Sequence, residues 1–147
     1  MTLSLKSIGQ QALIIVGVAT IWVSFFRLND LLFSGVAHSE WAHWIFIPAA
    51  IRVIALLLFD GAGVVGLVLG AYFTLRPGDA DHVQSAILLP LSSGLAPWVA
   101  VCMWRRTFGI ERNLAGLRPR DIAALSIGCA VVNSVLLNLC LTLSGEM

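Results

Sequence analysis

An all-α, polytopic membrane bundle is the fold class the sequence predicts, and three observations carry that prediction. The chain has 147 residues, of which 59% are hydrophobic and 12% charged, about half the charged share of an ordinary soluble domain. Its apolar residues gather into five runs joined by gaps too short to hold a core of their own, which points to one lipid-embedded domain over 1–147 without a soluble output domain. The lysines and arginines, Arg52 apart, fall in the connections or at the ends of the runs, where they set orientation. A net charge of +1 carries no message about nucleic acid.

The first run, about 8–26, is long enough to cross most of a bilayer. Met1 to Lys6 followed by this run has the charge of a signal sequence, but the apolar stretch is too long and no small-residue cleavage site precedes Arg27, so an uncleaved first span is expected. Gln10, Gly17, Thr20, Ser24 and Arg27 recur at helical steps, and this small, hydroxyl-rich face is expected to look into the bundle.

A polar connection follows, with Asn29, Asp30, His38, Glu40 and His43. Histidines and a glutamate here have the residue types of a metal site, but not the spacing of four that puts two ligands on one helical face. An interfacial turn flanked by the belt residues Trp41 and Trp44 is the expected structure, with neither metal nor cofactor.

A continuous helix from Trp41 to Leu75 would be about 50 Å long, well beyond a hydrocarbon core about 30 Å thick. Asp60-Gly61-Ala62-Gly63 offers a turn, so two thin spans, 41–59 and 62–75, are expected. A re-entrant loop is the alternative, and with it the charge count places the N-terminus outside. Trp44, Pro48 and Arg52 are spaced by four and share a side. An arginine in an apolar helix needs a partner or a polar cavity, so Arg52 either pairs with Asp30, Glu40 or Asp60 or lines a ligand site. Gly61, Gly63 and Gly66 imitate a dinucleotide fingerprint without the strand that should precede it, whereas Gly66 and Gly70 fit a helix-contact motif.

The fourth span, 85–104, carries Pro90, Ser92, Ser93 and Pro97. A kink is expected there, with the serine hydroxyls satisfying carbonyls that the prolines release. A basic loop follows with Arg105, Arg106, Arg112, Arg118 and Arg120, suited to anionic headgroups or to a partner protein. Pro119 and Asp121 open the last span, 122–143, where Ser126, Cys129, Asn133 and Cys140 share a face and Asn133 is expected to hydrogen-bond across the bundle. Cys102, Cys129 and Cys140 lie inside apolar runs as packing residues. With five spans, the positive-inside rule puts the N-terminus and the basic loop in the cytoplasm and the C-terminus in the periplasm.

The segment Trp44-Ile45-Phe46-Ile47-Pro48-Ala49-Ala50-Ile51-Arg52, the glycine-bearing span after it, and Leu117-Arg118-Pro119-Arg120-Asp121 together resemble the bacterial membrane-associated sensor domain of the first type. That domain is the integral membrane input module of histidine kinases and cyclic-diguanylate enzymes. The resemblance implies a bacterial inner-membrane sensory module with Pro48 and Arg52 lining its pocket. The family has more spans and a fused output domain, so a stand-alone, shortened version would signal through a partner or serve as an accessory subunit.

Three functions therefore stay open. In the first, Arg52, Asn133, Ser92 and Ser93, with Trp44 and Pro48, bind a small ligand within the bundle. The second is a structural or accessory subunit of a larger membrane complex, and the third a small transporter or channel that needs an oligomer. Membrane lipids and a membrane-protein partner or a second copy are the expected partners. An enzyme is not expected, since no nucleophile sits in a recognisable motif and no carboxylate pair shares a helical face.

Overall fold

In hydrocarbon every backbone polar group must be satisfied within its own segment, so apolar runs of this length fold as helices. The computed structural model describes residues 5–33, 37–39, 42–43, 48–75, 83–108 and 118–144. Its helices are α1 (Leu5–Phe33), α2 (Pro48–Phe73), α3 (Val83–Phe108) and α4 (Pro119–Ser144). Between α1 and α2, a short strand β1 (Ala37–Ser39) pairs antiparallel with β2 (Ala42–His43).

Among the described residues four helices, not five, are by length and composition apolar enough to cross a membrane. The expected spans 41–59 and 62–75 form one helical element with a single non-helical residue inside it, Asp60. The first of them also starts later than expected. Residues 42–43 belong to β2, and Pro48 opens α2 in the first-turn position, where its missing N–H costs nothing.

α2 is nevertheless no straight rod. A Cβ built on Gly63 would fall 2.5 Å from the carbonyl oxygen of Ala55, although eight residues of continuous helix are about 12 Å apart. Trp22 of α1 touches both halves: the Arg52 guanidinium lies 4.8 Å from its ring centroid, and a Cβ on Gly70 would meet its side chain at 2.7 Å. In a straight helix positions 52 and 70 would be about 27 Å apart. The chain therefore doubles back at Asp60, and 48–59 and 61–73 lie antiparallel as two arms, each about 18–20 Å long. Asp60 has φ 48° and ψ −120°, the first central conformation of a type II′ turn that glycine usually fills. For a residue with a Cβ it costs about 1–3 kcal/mol.

This hairpin is the hub of the bundle. It packs against α1 on one side and α3 on the other, α3 carries α4, and α4 meets α2 over a smaller area. Gly66 and Gly70 form a groove that receives Val18 and Trp22, which share the same four-residue spacing, while Gly94 of α3 packs on Val64 and Val68. These pairings run α1 parallel to the second arm. Asp60 reaching Arg105 while Val64 and Val68 reach Gly94 makes α3 antiparallel to it. The start of α1, the hairpin tip and the end of α3 thus share one end of the bundle. Val53, Leu56, Leu67, Val101, Leu125 and Cys129 fill the core between the arms, α3 and α4.

Two expectations about faces are corrected. On α1 the buried face is Val18, Trp22 and Asn29, whereas Gln10, Thr20, Ser24 and Arg27 are exposed. The close approach uses the glycines of the hairpin, so α1 supplies the bulky side chains that fill the groove rather than the small ones. On α3 the helix runs through Pro90 and Pro97, which deprives the carbonyls of Ala86 and Ser93 of their helical donors. Ser92 Oγ donates instead to the Leu89 carbonyl at 2.8 Å, and the buried Ser93 hydroxyl has no hydrogen-bond partner among the described residues.

Candidate ligand-binding site

Arg52 sits two turns along the first arm from the hairpin tip, within the apolar length of α2. Its guanidinium lies over the Trp22 ring, and its Nη1 donates to Asn133 Oδ1 at 3.1 Å. One cation on the hairpin thereby ties α1 to α4. Trp22, 1% exposed, is itself positioned by the Gly70 groove, and its indole N–H donates to Thr74 Oγ1 at 3.4 Å. The Thr74 hydroxyl in turn donates to the Ala71 carbonyl at 2.9 Å. A buried guanidinium gains from a flat aromatic face because both are weakly hydrated and the ring quadrupole attracts the cation.

The α3–α4 register brings Ser93 to this level. The Cys129 thiol donates to the Pro97 carbonyl at 3.9 Å, and in an antiparallel pair one turn back from Pro97 lies opposite one turn on from Cys129. Those positions are Ser93 and Asn133. Ser93 is 5% exposed and presents both an unpartnered hydroxyl and the carbonyl that Pro97 deprives of its donor. The site thus sets a guanidinium and an amide side by side within the bundle, polar groups of the kind that orient a ligand between apolar walls.

Of the residues singled out from sequence, Arg52 and Asn133 are joined directly, Ser93 is buried on α3, and Ser92 is turned onto its own helix. Pro48 opens α2. Trp44, Glu40 and Arg112 lie outside the described residues. Asp60, expected as a partner for Arg52, instead pairs with Arg105 at 3.7 Å, because two helical turns carry it to the tip. Asp30 is half-buried two turns along α1 from Trp22. Arg105 therefore faces the hairpin, while Arg106, Arg118 and Arg120 are exposed. The Arg118 backbone N–H donates to Asp121 Oδ2 at 2.9 Å, capping α4.

Sequence reasoning missed Trp22 and Thr74. Its signal for Trp22 was a bulky aromatic at the same spacing from Val18 as Gly70 from Gly66, a complementarity visible once the two helices are placed side by side. In comparisons with protein-family models, curated proteins and solved structures, the chain matches none.

Proposed function

We propose that this chain is a stand-alone, sensor-like input module of a bacterial inner membrane that binds a small polar ligand within its bundle and passes the event to a partner protein. The observation that supports it best is the joining of Arg52, on the short hairpin, to Trp22 of α1 and Asn133 of α4; the register that the Cys129–Pro97 contact suggests would add the buried Ser93 hydroxyl. Intramembrane cations are expensive and mark ligand or ion sites by default.

In this reading the hairpin forms two thin half-spans that enter and leave at the same end of the bundle, so crossing twice or re-entering gives the same topology. A re-entrant hairpin therefore keeps the N-terminus on the same side and does not flip it outward as the charge count had suggested. Lys6, Arg105, Arg106, Arg112, Arg118 and Arg120 then lie on the cytoplasmic side, with the C-terminus in the periplasm.

Thermal unfolding in lipid nanodiscs tests the ligand reading with short-chain carboxylates, inorganic phosphate and a short-chain quinone as probes. A bound probe at 100 times its Kd stabilises the fold by about 2.7 kcal/mol, and Ser93→Val is expected to erase that shift while leaving the unliganded midpoint within about 2 °C of the parent. A probe that shifts Ser93→Val as far as the parent binds elsewhere and removes the site.

The accessory-subunit reading keeps one specific support. Ser126, Ser134, Asn138 and Thr142 are exposed at steps of eight, four and four on α4, a polar stripe suited to a neighbouring membrane helix. Stoichiometric recovery of another membrane protein from native membranes, lost on Asn138→Leu, would favour it over the sensor.

A further inference from the structure

We propose that the Asp60–Arg105 pair is a latch that fastens the hairpin tip to the end of α3, and that the tip loosens from α3 when the pair opens. The proposal goes beyond the ligand reading and holds whether or not Arg52 receives a ligand.

Three observations at the tip carry it. Side-chain packing at the tip is sparse: Leu58 is 60% and Phe59 39% exposed, and a Cβ on Gly61 would meet nothing within 4 Å. The pair itself is loose and within reach of water, at 3.7 Å between Asp60 Oδ1 and Arg105 Nη1 with side chains 36% and 15% exposed. Arg105 Nε has no hydrogen-bond partner among the described residues. Finally, Asp60 holds a backbone conformation suited to glycine although a glycine stands next in the chain. Such strained residues persist where the surroundings over-determine them, and they gather at clamps and switches. Here the carboxylate is what a glycine would lack, and its ion pair with Arg105 ties the strained turn to α3.

The consequence follows from the length of the first arm. Arg52 and Asp60 occupy one short helical segment, so a tip that leaves α3 tilts the guanidinium relative to Trp22 and Asn133. Arg105 stands one turn before the end of α3, at the end of the bundle to which residues 109–117 connect. The latch therefore links the intramembrane cluster to the basic end.

Amide hydrogen exchange of the full chain in nanodiscs, read by mass spectrometry, tests this. Arg105→Gln and Asp60→Asn are each expected to speed exchange over 57–64 by about tenfold while the α1–hairpin seam, 18–22 and 66–70, keeps its protection. Arg105→Lys, which keeps the charge, is expected to stay near the parent. Salt at about 0.5 M is expected to speed the parent more than Arg105→Gln, because ions screen an exposed pair. Parent-like exchange over 57–64 in Arg105→Gln overturns the proposal. Faster exchange across the seam as well also overturns it, since the pair would then brace the whole bundle rather than latch its tip.

Discussion

Arg52→Leu is expected to lower the thermal midpoint in nanodiscs by about 8 °C, equivalent to about 2 kcal/mol for a chain of this size. The substitution removes the donor at 3.1 Å from Asn133 Oδ1 and the cation 4.8 Å from the Trp22 ring centroid. A part-buried amide left without its donor costs about 1–3 kcal/mol, and a desolvated cation–π contact contributes up to about 2 kcal/mol. Taking a charge out of hydrocarbon works the other way, by about 2.5–3.5 kcal/mol on insertion scales. That term largely cancels, because the unfolded helices stay in the bilayer with the arginine snorkelling to its surface. Arg52→Lys is expected to fall between leucine and the parent, since an ammonium keeps the charge but loses the planar fork that stacks on indole. Combining Arg52→Leu with Asn133→Ala is expected to cost at least about 0.5 kcal/mol less than the sum of the single changes. A leucine variant that melts with the parent would mean that the cation does not tie α1 to α4.

How far this arrangement was legible in the sequence depends on whether its signal is local. An arginine inside an apolar run and an Asp-Gly break eight residues later are local, so both the cation and the bend were readable. The number of long helices was not. A single residue makes the bend, where the composition of Asp60-Gly61-Ala62-Gly63 suggested a turn between two separate spans. Tertiary partners were hidden more thoroughly. The small-residue face of α1 looked like a packing face, yet small residues permit close approach only opposite something bulky, and here α1 provides the bulk in Val18 and Trp22. Asp60 was grouped with Arg52 because they are close in sequence, whereas the helix that carries both holds them two turns apart and brings Asp60 to Arg105. The pairing of Ser93 with the level of Asn133 required the α3–α4 register, which the Cys129–Pro97 contact sets and no periodicity reveals.

Gly63→Ala is expected to give the largest loss of any single methyl group, about 3 kcal/mol or about 12 °C in midpoint. The added Cβ would stand 2.5 Å from the Ala55 carbonyl oxygen and 2.9 Å from its carbon. Both are backbone atoms, so relief requires the two arms to separate, and separation uncovers Ala55 and Leu56, buried at 4% and 0% exposure. At Gly66 a Cβ would meet the Val18 side chain at 2.7 Å and the Ile15 carbonyl oxygen at 2.9 Å. A valine can turn and α1 can shift as a rod, so Gly66→Ala is expected to cost less, about 1–2 kcal/mol. Gly128 on α4 is the control, because a Cβ there meets nothing within 4 Å. Alanine at that site is expected to be neutral or to stabilise by up to about 1 kcal/mol through helix propensity. The order Gly63, Gly66, Gly128 follows from a hairpin folded on itself and from no straight form of α2, in which residue 63 would be about 12 Å from residue 55. Equal midpoints for Gly63→Ala and Gly128→Ala would show that the arms do not lie against each other, and the double-back at Asp60 would be refuted.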